Sequence, residues 1–468
     1  LFGALRSGQT VPPSASVPSA RVPDLPSPNA SAPSPTWREL FSTFAGIGLA
    51  SFGGPTAQIA VMHRELVERR GWLSEPRFMH ALNFCMLLPG PEAMQLVTYS
   101  GWLLRGVAGG LLAGVLFIAP GFVALLALSI LYVTAGQTTA FQGLLFGLQA
   151  AVLALVVQAA MRIGRRMLRG WLPVLLASAA FASLLAAAPF PAVIAAAAGI
   201  GLLVGKLRPA LLAGPHAADH NADLADPPPP PLLRTITTAA VWTTLWLGPL
   251  LALLLWLGPS NVFSAQAVFF SKTALVTFGG AYAVLAYVAQ QAVEVYQWVT
   301  PEQMLAGMGM AETTPGPLIM VLQFVAFLGA AAQPGPLTPV TAGVLASVLA
   351  TWVTFVPSFM FIFVAAPYVE ALRRRPALTC MLTAITSAVV GIILSLAAWF
   401  AVHTLFAATT VLTLGPMRVH LPQWTSVNLP ALLLALLAGL LLWRSRFHVL
   451  LIILIVVALG VFWRSLAP

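Results

Sequence analysis

Glu92, Glu312 and Lys272 stand out because almost nothing around them is charged. Glu92 follows Pro89-Gly90-Pro91 directly, Glu312 lies three residues before Pro315-Gly316-Pro317, and Lys272 lies six residues before Phe278-Gly279-Gly280. All three sit in long apolar stretches. An ionisable group in hydrocarbon is costly, and such residues mark substrate pathways and proton relays. Lys272 could neutralise an anionic substrate; the alternative is a lysine snorkelling its ammonium to a membrane face. A carboxylate beside an anion site repels the anion unless it is protonated. Glu92 and Glu312 are therefore candidates for proton coupling, with capping and helix–helix hydrogen bonding as the structural alternative.

The neighbouring glycines and prolines supply the rest of the candidate chemistry. Apolar runs break at Gly53-Gly54-Pro55, at Pro89-Gly90-Pro91, at Gly279-Gly280 and at Pro315-Gly316-Pro317. In hydrocarbon every backbone N–H and C=O must be satisfied internally, so irregular backbone is tolerated only when buried in protein or lining a watery cavity. A broken helix also exposes N–H groups and its positive dipole end. Four breaks converging near the midplane would form an anion site. Its candidate residues are Gly53, Gly54, Pro89, Gly90, Pro91, Lys272, Gly279, Gly280, Pro315, Gly316 and Pro317. The alternative is a set of proline kinks that serve packing alone.

Composition sets the elements that must position them. The chain has 468 residues, 59% hydrophobic and only 8% charged, too little charge to cover a soluble surface. Several apolar runs reach the ~20 residues of a bilayer-spanning helix. The expected class is an all-α polytopic membrane protein. Its net charge of +10 does not imply nucleic acid, because Lys and Arg collect in cytoplasmic loops. Cys85 and Cys380 read as small packing residues. The seven His residues are scattered, with no H-E-x-x-H, no metal spacing and no P-loop motif. No catalytic residue, metal or cofactor is expected. A membrane hydrolase would need a nucleophile with a His, or paired carboxylates, in the apolar core. A scaffold and a passive anion channel remain as alternatives to a secondary carrier.

Residues 1–36, rich in Pro, Ser and Ala, are expected to be a disordered tail. The sequence begins with Leu1, and no hydrophobic signal core precedes residue 40. Residues 207–235, with Pro227–Pro231, read as a linker between a first repeat, 37–206, and a segment 236–468 holding a linking helix and a second repeat.

The repeats align without gaps. Residues 51–91 match 277–317 at an offset of 226, with 11 of 41 positions identical, including FGG, Trp72/Trp298 and PGP. Ala119-Pro120-Gly121 corresponds to Val356-Pro357-Ser358 after an insertion near 330–338. Gly106, Gly110 and Gly114 form a small-residue packing stripe. Arg64, Arg69, Arg70 and Arg77 populate 63–77, whereas 289–303 holds no Lys or Arg, only Glu294 and Glu302. The positive-inside rule then puts the two copies in opposite orientation, an inverted-topology repeat. In that layout 41–62, 78–104, 262–288 and 303–332 enter and return. Full crossings are expected at 106–133, 139–161, 171–188, 190–205, 236–258, 338–364, 378–403, 428–443 and 447–463. Arg105, Arg162, Arg165, Arg166, Arg169, Lys206, Arg208, Arg373–Arg375, Arg444 and Arg446 then fall inside.

The motifs FGGPTAQIAVMHRELVERRGWLSEPRF, LLPGPEAMQLVTYSGWLLRG and FIAPG, with FGGAYAVLAYV and AETTPGPLIM in the second half, resemble the chromate ion transporter family in its long, two-domain form. The resemblance covers roughly 37–465. It implies efflux of chromate across the bacterial plasma membrane, driven by membrane potential or a proton gradient. Sulfate or another oxyanion is the alternative cargo, the bilayer the environment, and a homodimer compatible. Met86-Leu87-Leu88 stands where a polar Gln is expected, and Ala281 where a third Gly is common.

Overall fold

The computed structural model describes residues 35–136, 138–212, 231–278, 281–368, 376–414, 417–444 and 449–466. The tail up to residue 34, the linker core 213–230, Gly279, Gly280, Arg373–Arg375 and Arg446 lie outside the described residues.

Helix α1 (Trp37–Ala50) starts at a capping box, where the Thr36 hydroxyl accepts from the Glu39 N–H and Glu39 accepts from the Thr36 N–H at 2.8 Å. It ends at Ser51, whose ψ of 78° leaves the helical region, and Gly53 and Gly54 then turn the chain with φ of 78° and 81°, a conformation that favours glycine. Helix α2 (Gly54–His63) follows with Pro55 in its first turn, and widens into a π-helical turn, Arg64–Arg69. Helix α3 (Glu75–Cys85) runs to the first PGP, and α4 (Glu92–Ala135) leaves it. Taken as straight, the 44 residues of α4 would reach about 66 Å, twice a bilayer core. They do not: Arg105 (φ −145°) and Gly106 (φ 63°) have non-helical backbone and fold the segment on itself. A Cβ at Gly101 would meet the Gly109 carbonyl and lie 2.7 Å from Ala113 Cβ, which is the close contact of an antiparallel hairpin. Gly106 is thus the turn itself, while Gly110 and Gly114 lie against the Thr98 side of the first limb and against Phe363 and Phe359.

The second half repeats this order. Helix α9 (Val262–Val276), α10 (Ala281–Gln290), a second π-helical turn (Gln291–Val295) and α11 (Pro301–Thr313) correspond one to one with α1, α2, Arg64–Arg69 and α3. After the second PGP a 3-10 turn (Leu318–Met320) leads into α12 (Val321–Ala332), and α13 (Pro339–Ala365) returns. The Pro- and Gly-containing segment 333–338 makes here the turn that Arg105-Gly106 makes in the first half.

The long helices interlock the halves. Helix α5 (Thr139–Met167), of the first half, packs against α15 (Leu429–Arg444) and α16 (Val449–Leu466) of the second. Helix α14 (Pro376–Leu405), of the second half, packs against α6 (Trp171–Leu185) and α7 (Phe190–Leu207) of the first. Small residues allow the approach. A Cβ at Gly147 would fall 2.7 Å from Val457 Cα, and one at Gly205 would fall 2.7 Å from Ala377 Cα.

Several expectations change. Helix α8 (Leu232–Leu257) begins inside the expected linker, and α7 ends at Leu207. Beside its helices the described chain also holds a short antiparallel hairpin, β1 (Thr409–Leu414) with β2 (Met417–Pro422), between α14 and α15. The 15 and 16 residues of α6 and α15 span about 23–24 Å, short of the ~30 Å needed to cross alone. Seven described helices are long and apolar enough to cross a membrane, α4 among them.

Candidate functional site

The first FGG, both PGP breaks and Thr277, which precedes the second FGG, meet, and they meet crosswise. The Gly90 N–H of the first PGP donates to the Thr277 carbonyl beside the second FGG, at 2.8 Å. The Gly316 N–H of the second PGP donates to the Ser51 carbonyl beside the first FGG, also at 2.8 Å. The two bonds are the same bond at an offset of 226, so residue i of one half meets residue j of the other and j meets i, the mark of a two-fold relation. Each acceptor residue is fastened alike: Ser51 Oγ donates to the Ile47 carbonyl at 2.6 Å, and Thr277 Oγ1 to the Thr273 carbonyl at 2.7 Å. The long proline-containing helices complete the crossing. A Cβ at Gly121 would fall 2.5 Å from the Pro315 carbonyl, and one at Gly90 would fall 2.7 Å from Ser358 Oγ.

Three glutamines donate to backbone carbonyls, two of them at the breaks. Gln58 Nε2 donates to the Gly316 carbonyl at 2.6 Å, Gln95 Nε2 to the Pro89 carbonyl at 2.7 Å, and Gln323 Nε2 to the Phe122 carbonyl at 3.1 Å. All three side chains are buried. The Oε1 atoms of Gln95 and Gln323 find no partner among the described residues. The Ser358 side chain is buried beside them.

The two carboxylates differ in burial and partners. Glu92 is half-buried at the first turn of α4. Glu312, 2% exposed near the end of α11, accepts a short hydrogen bond from the Tyr282 hydroxyl. Arg162 acts electrostatically on Glu312 and Arg166 on Glu92, from exposed positions one turn apart near the end of α5. Lys272 is not brought into the cluster. Its side chain is on the exposed side of α9, with buried Ser271, Thr273 and Ala274 turned the other way, and no described residue forms an ion pair with it.

Gly53, Gly54, Pro89, Gly90, Pro91, Pro315, Gly316 and Pro317 all belong to the convergence; Gly279 and Gly280 lie outside the described residues. Gln58, Gln95, Tyr282 and Ser358 were not among the candidates read from the sequence. A usable signal was present: Gln58 follows Gly54 by four residues and Gln95 follows Pro91 by four, one helical turn beyond a break. Among the described residues no group of His, Cys, Asp or Glu is placed to hold a metal ion.

Two repeated units of broken helices, interlocked through long apolar helices, define a multi-pass membrane protein of the transporter class. The family model described as Chromate transporter matches residues 38–202 and again 264–461, and the chain belongs to that family. The two matches begin at the offset that relates the FGG and PGP motifs. The chain is 31% identical over 438 residues to the chromate transport protein of Pseudomonas aeruginosa, covering 90% of this chain and 91% of that one. It is 28% identical over 369 residues to the chromate transport protein of Cupriavidus metallidurans, covering 77% and 82%. It is 26% identical over 437 residues to the probable chromate transport protein of Synechococcus elongatus, covering 92% and 97%. No solved structure matches. With relatives from bacteria and seven apolar helices, this is a multi-pass protein of the bacterial plasma membrane.

Proposed function

We propose that the protein is a secondary active exporter of chromate whose substrate site is the crossing of the breaks. The observation that carries this reading is the reciprocal pair of bonds, Gly90 to Thr277 and Gly316 to Ser51. It gathers the starts of broken helices and the buried Ser358 hydroxyl in one place, and N–H groups at helix starts can hold an oxyanion without a metal. The relatives' names supply chromate; sulfate shares its geometry and charge. The contrast between Arg64, Arg69, Arg70 and Arg77 on one side and Glu294 and Glu302 on the other supports opposite orientation of the halves. In that orientation Arg162 and Arg166 belong to the cytoplasmic side, where their charge draws a dianion toward the site. Glu92 and Glu312 are the proposed proton-coupling groups.

The test is radiolabelled chromate flux in proteoliposomes of the purified chain, with the pH gradient and the voltage clamped separately. Accumulation against a chromate gradient, abolished when the driving gradient is collapsed, is the expected result. Flux that only ever runs downhill would make the protein a channel. Accumulation of sulfate but not chromate would change the cargo.

A further inference from the structure

Glu312 stands beside the start of a helix from the other half. Helix α2 begins at the first FGG with Gly53 as its cap residue, and no side chain caps its first N–H groups. A Cβ at Gly54 would lie 4.0 Å from Glu312 Oε2 and 3.7 Å from the Tyr282 hydroxyl. Tyr282 donates to Oε1. Oε2 accepts no hydrogen bond from any described residue and faces the start of α2. The side chain that presents it is 2% exposed. A helix N-terminus favours negative charge through its free N–H groups and its dipole. Here that end of α2 is faced by a carboxylate of the protein itself, carried in from the other half.

We propose that Glu312 is a tethered competitor for the oxyanion. Ionised, its carboxylate occupies the anion position at the start of α2, latched by Tyr282. Protonated, it loses both its attraction to the helix end and its repulsion of a dianion, and the substrate takes the position. One proton bound on Glu312 thus accompanies one oxyanion bound, and the proton leaves as the carboxylate reclaims its place. This deepens the transport reading and rests on it. It assigns Tyr282 as a positioning residue. It also makes the site asymmetric, because the counterpart of Glu312 at the repeat offset is Met86 and the counterpart of Tyr282 is Thr56. The charged and titratable groups that face Glu312 are Tyr282 on α10 and Arg162 on α5. Helix α12, packed against α11, carries no titratable residue, and neither α4 nor α14 sets a charge against the carboxylate.

The experiment is equilibrium binding of radiolabelled chromate to the purified full-length chain in nanodiscs. It is read from neutral to alkaline pH, where chromate remains a dianion, for wild type, Glu312→Gln and Tyr282→Phe. Wild type should bind progressively less as pH rises. Glu312→Gln, which keeps the shape and removes the charge, should bind tighter at alkaline pH by about tenfold, the scale of one charge at a partly buried helix end, and lose the pH dependence. Tyr282→Phe leaves the carboxylate without its latch and should retain the pH dependence with the loss of binding moved to higher pH. Glu312→Gln binding that is unchanged, weaker or still pH-dependent would overturn the competition. So would a Tyr282→Phe profile superimposable on wild type. A wild-type protein that binds no chromate at any pH would overturn the transport reading itself.

Discussion

Gly90→Ala is the sharpest probe of the crossing, because two independent costs meet at one Cβ. Gly90 has φ of 134°, in a region essentially reserved for glycine, where a side chain costs about 1–3 kcal/mol. The new Cβ would also fall 2.5 Å from Gln95 Nε2 and 2.7 Å from Ser358 Oγ. The Gln95 amide would then have to leave the Pro89 carbonyl. An unmade bond to a buried polar group costs about 1–3 kcal/mol more, for a total of about 2–6 kcal/mol. Gly71→Ala is the control: its φ of 61° is also positive, but nothing lies within 4 Å of the added Cβ, so the cost is about 1–2 kcal/mol of backbone strain alone. Thermal unfolding midpoints in detergent, followed by fluorescence-detected size exclusion, should fall clearly further for Gly90→Ala than for Gly71→Ala. Truncating the obstructing amide removes part of the clash, so Gly90→Ala with Gln95→Ala should be less damaging than the sum of the two single changes. Equal midpoints for Gly90→Ala and Gly71→Ala, or strict additivity in the double variant, would refute the close packing at the first PGP.

Cysteines introduced at Ser74 and Thr300, both exposed at the starts of α3 and α11, should react with impermeant maleimide from opposite sides of the membrane once Cys85 and Cys380 are replaced. Same-side labelling would end the inverted-repeat proposal. Lys272→Gln should leave chromate affinity within a factor of about two, the change expected of an exposed charge outside the site. A tenfold loss in the same binding assay would return Lys272 to the site by a route that α9's exposed side does not provide.

The breaks were legible because they are written in residue types that admit few backbones. Gly-Gly-Pro and Pro-Gly-Pro in apolar runs have few solutions, and their recurrence in register exposed the duplication. Composition and run length gave the membrane class in the same way. Lys272 misled because a sequence records how rare a charge is and not which side of the helix carries it. Six residues before a break, one helical step decides between the cluster and the exterior. Gln58 and Gln95 were overlooked because an amide carries no charge to mark it, although both stand one turn past a break. The fold-back at Arg105-Gly106 was expected only as a loop after a returning segment, and the Gly101–Gly109 contact that makes it a tight hairpin is a matter of tertiary approach. The β1–β2 hairpin was overlooked although its sequence marks it: Thr409–Leu414 is rich in β-branched residues, Gly415-Pro416 is a turn dipeptide, and Met417–Pro422 alternates in polarity.

The exchange of long helices between the halves has a consequence for how the molecule is made. Synthesis runs from the N-terminus, so α5 leaves the ribosome well over two hundred residues before α15 and α16, the second of which packs along its Gly143 and Gly147. Helices α6 and α7 wait in the same way for α14. Through that interval the nascent first half offers open seams to lipid and to the insertion machinery, and it closes them only when the last helix, α16, arrives. A chain that stops at the central linker is therefore an unfinished object rather than a smaller transporter. Supplying the second half as a separate polypeptide is what would complete it.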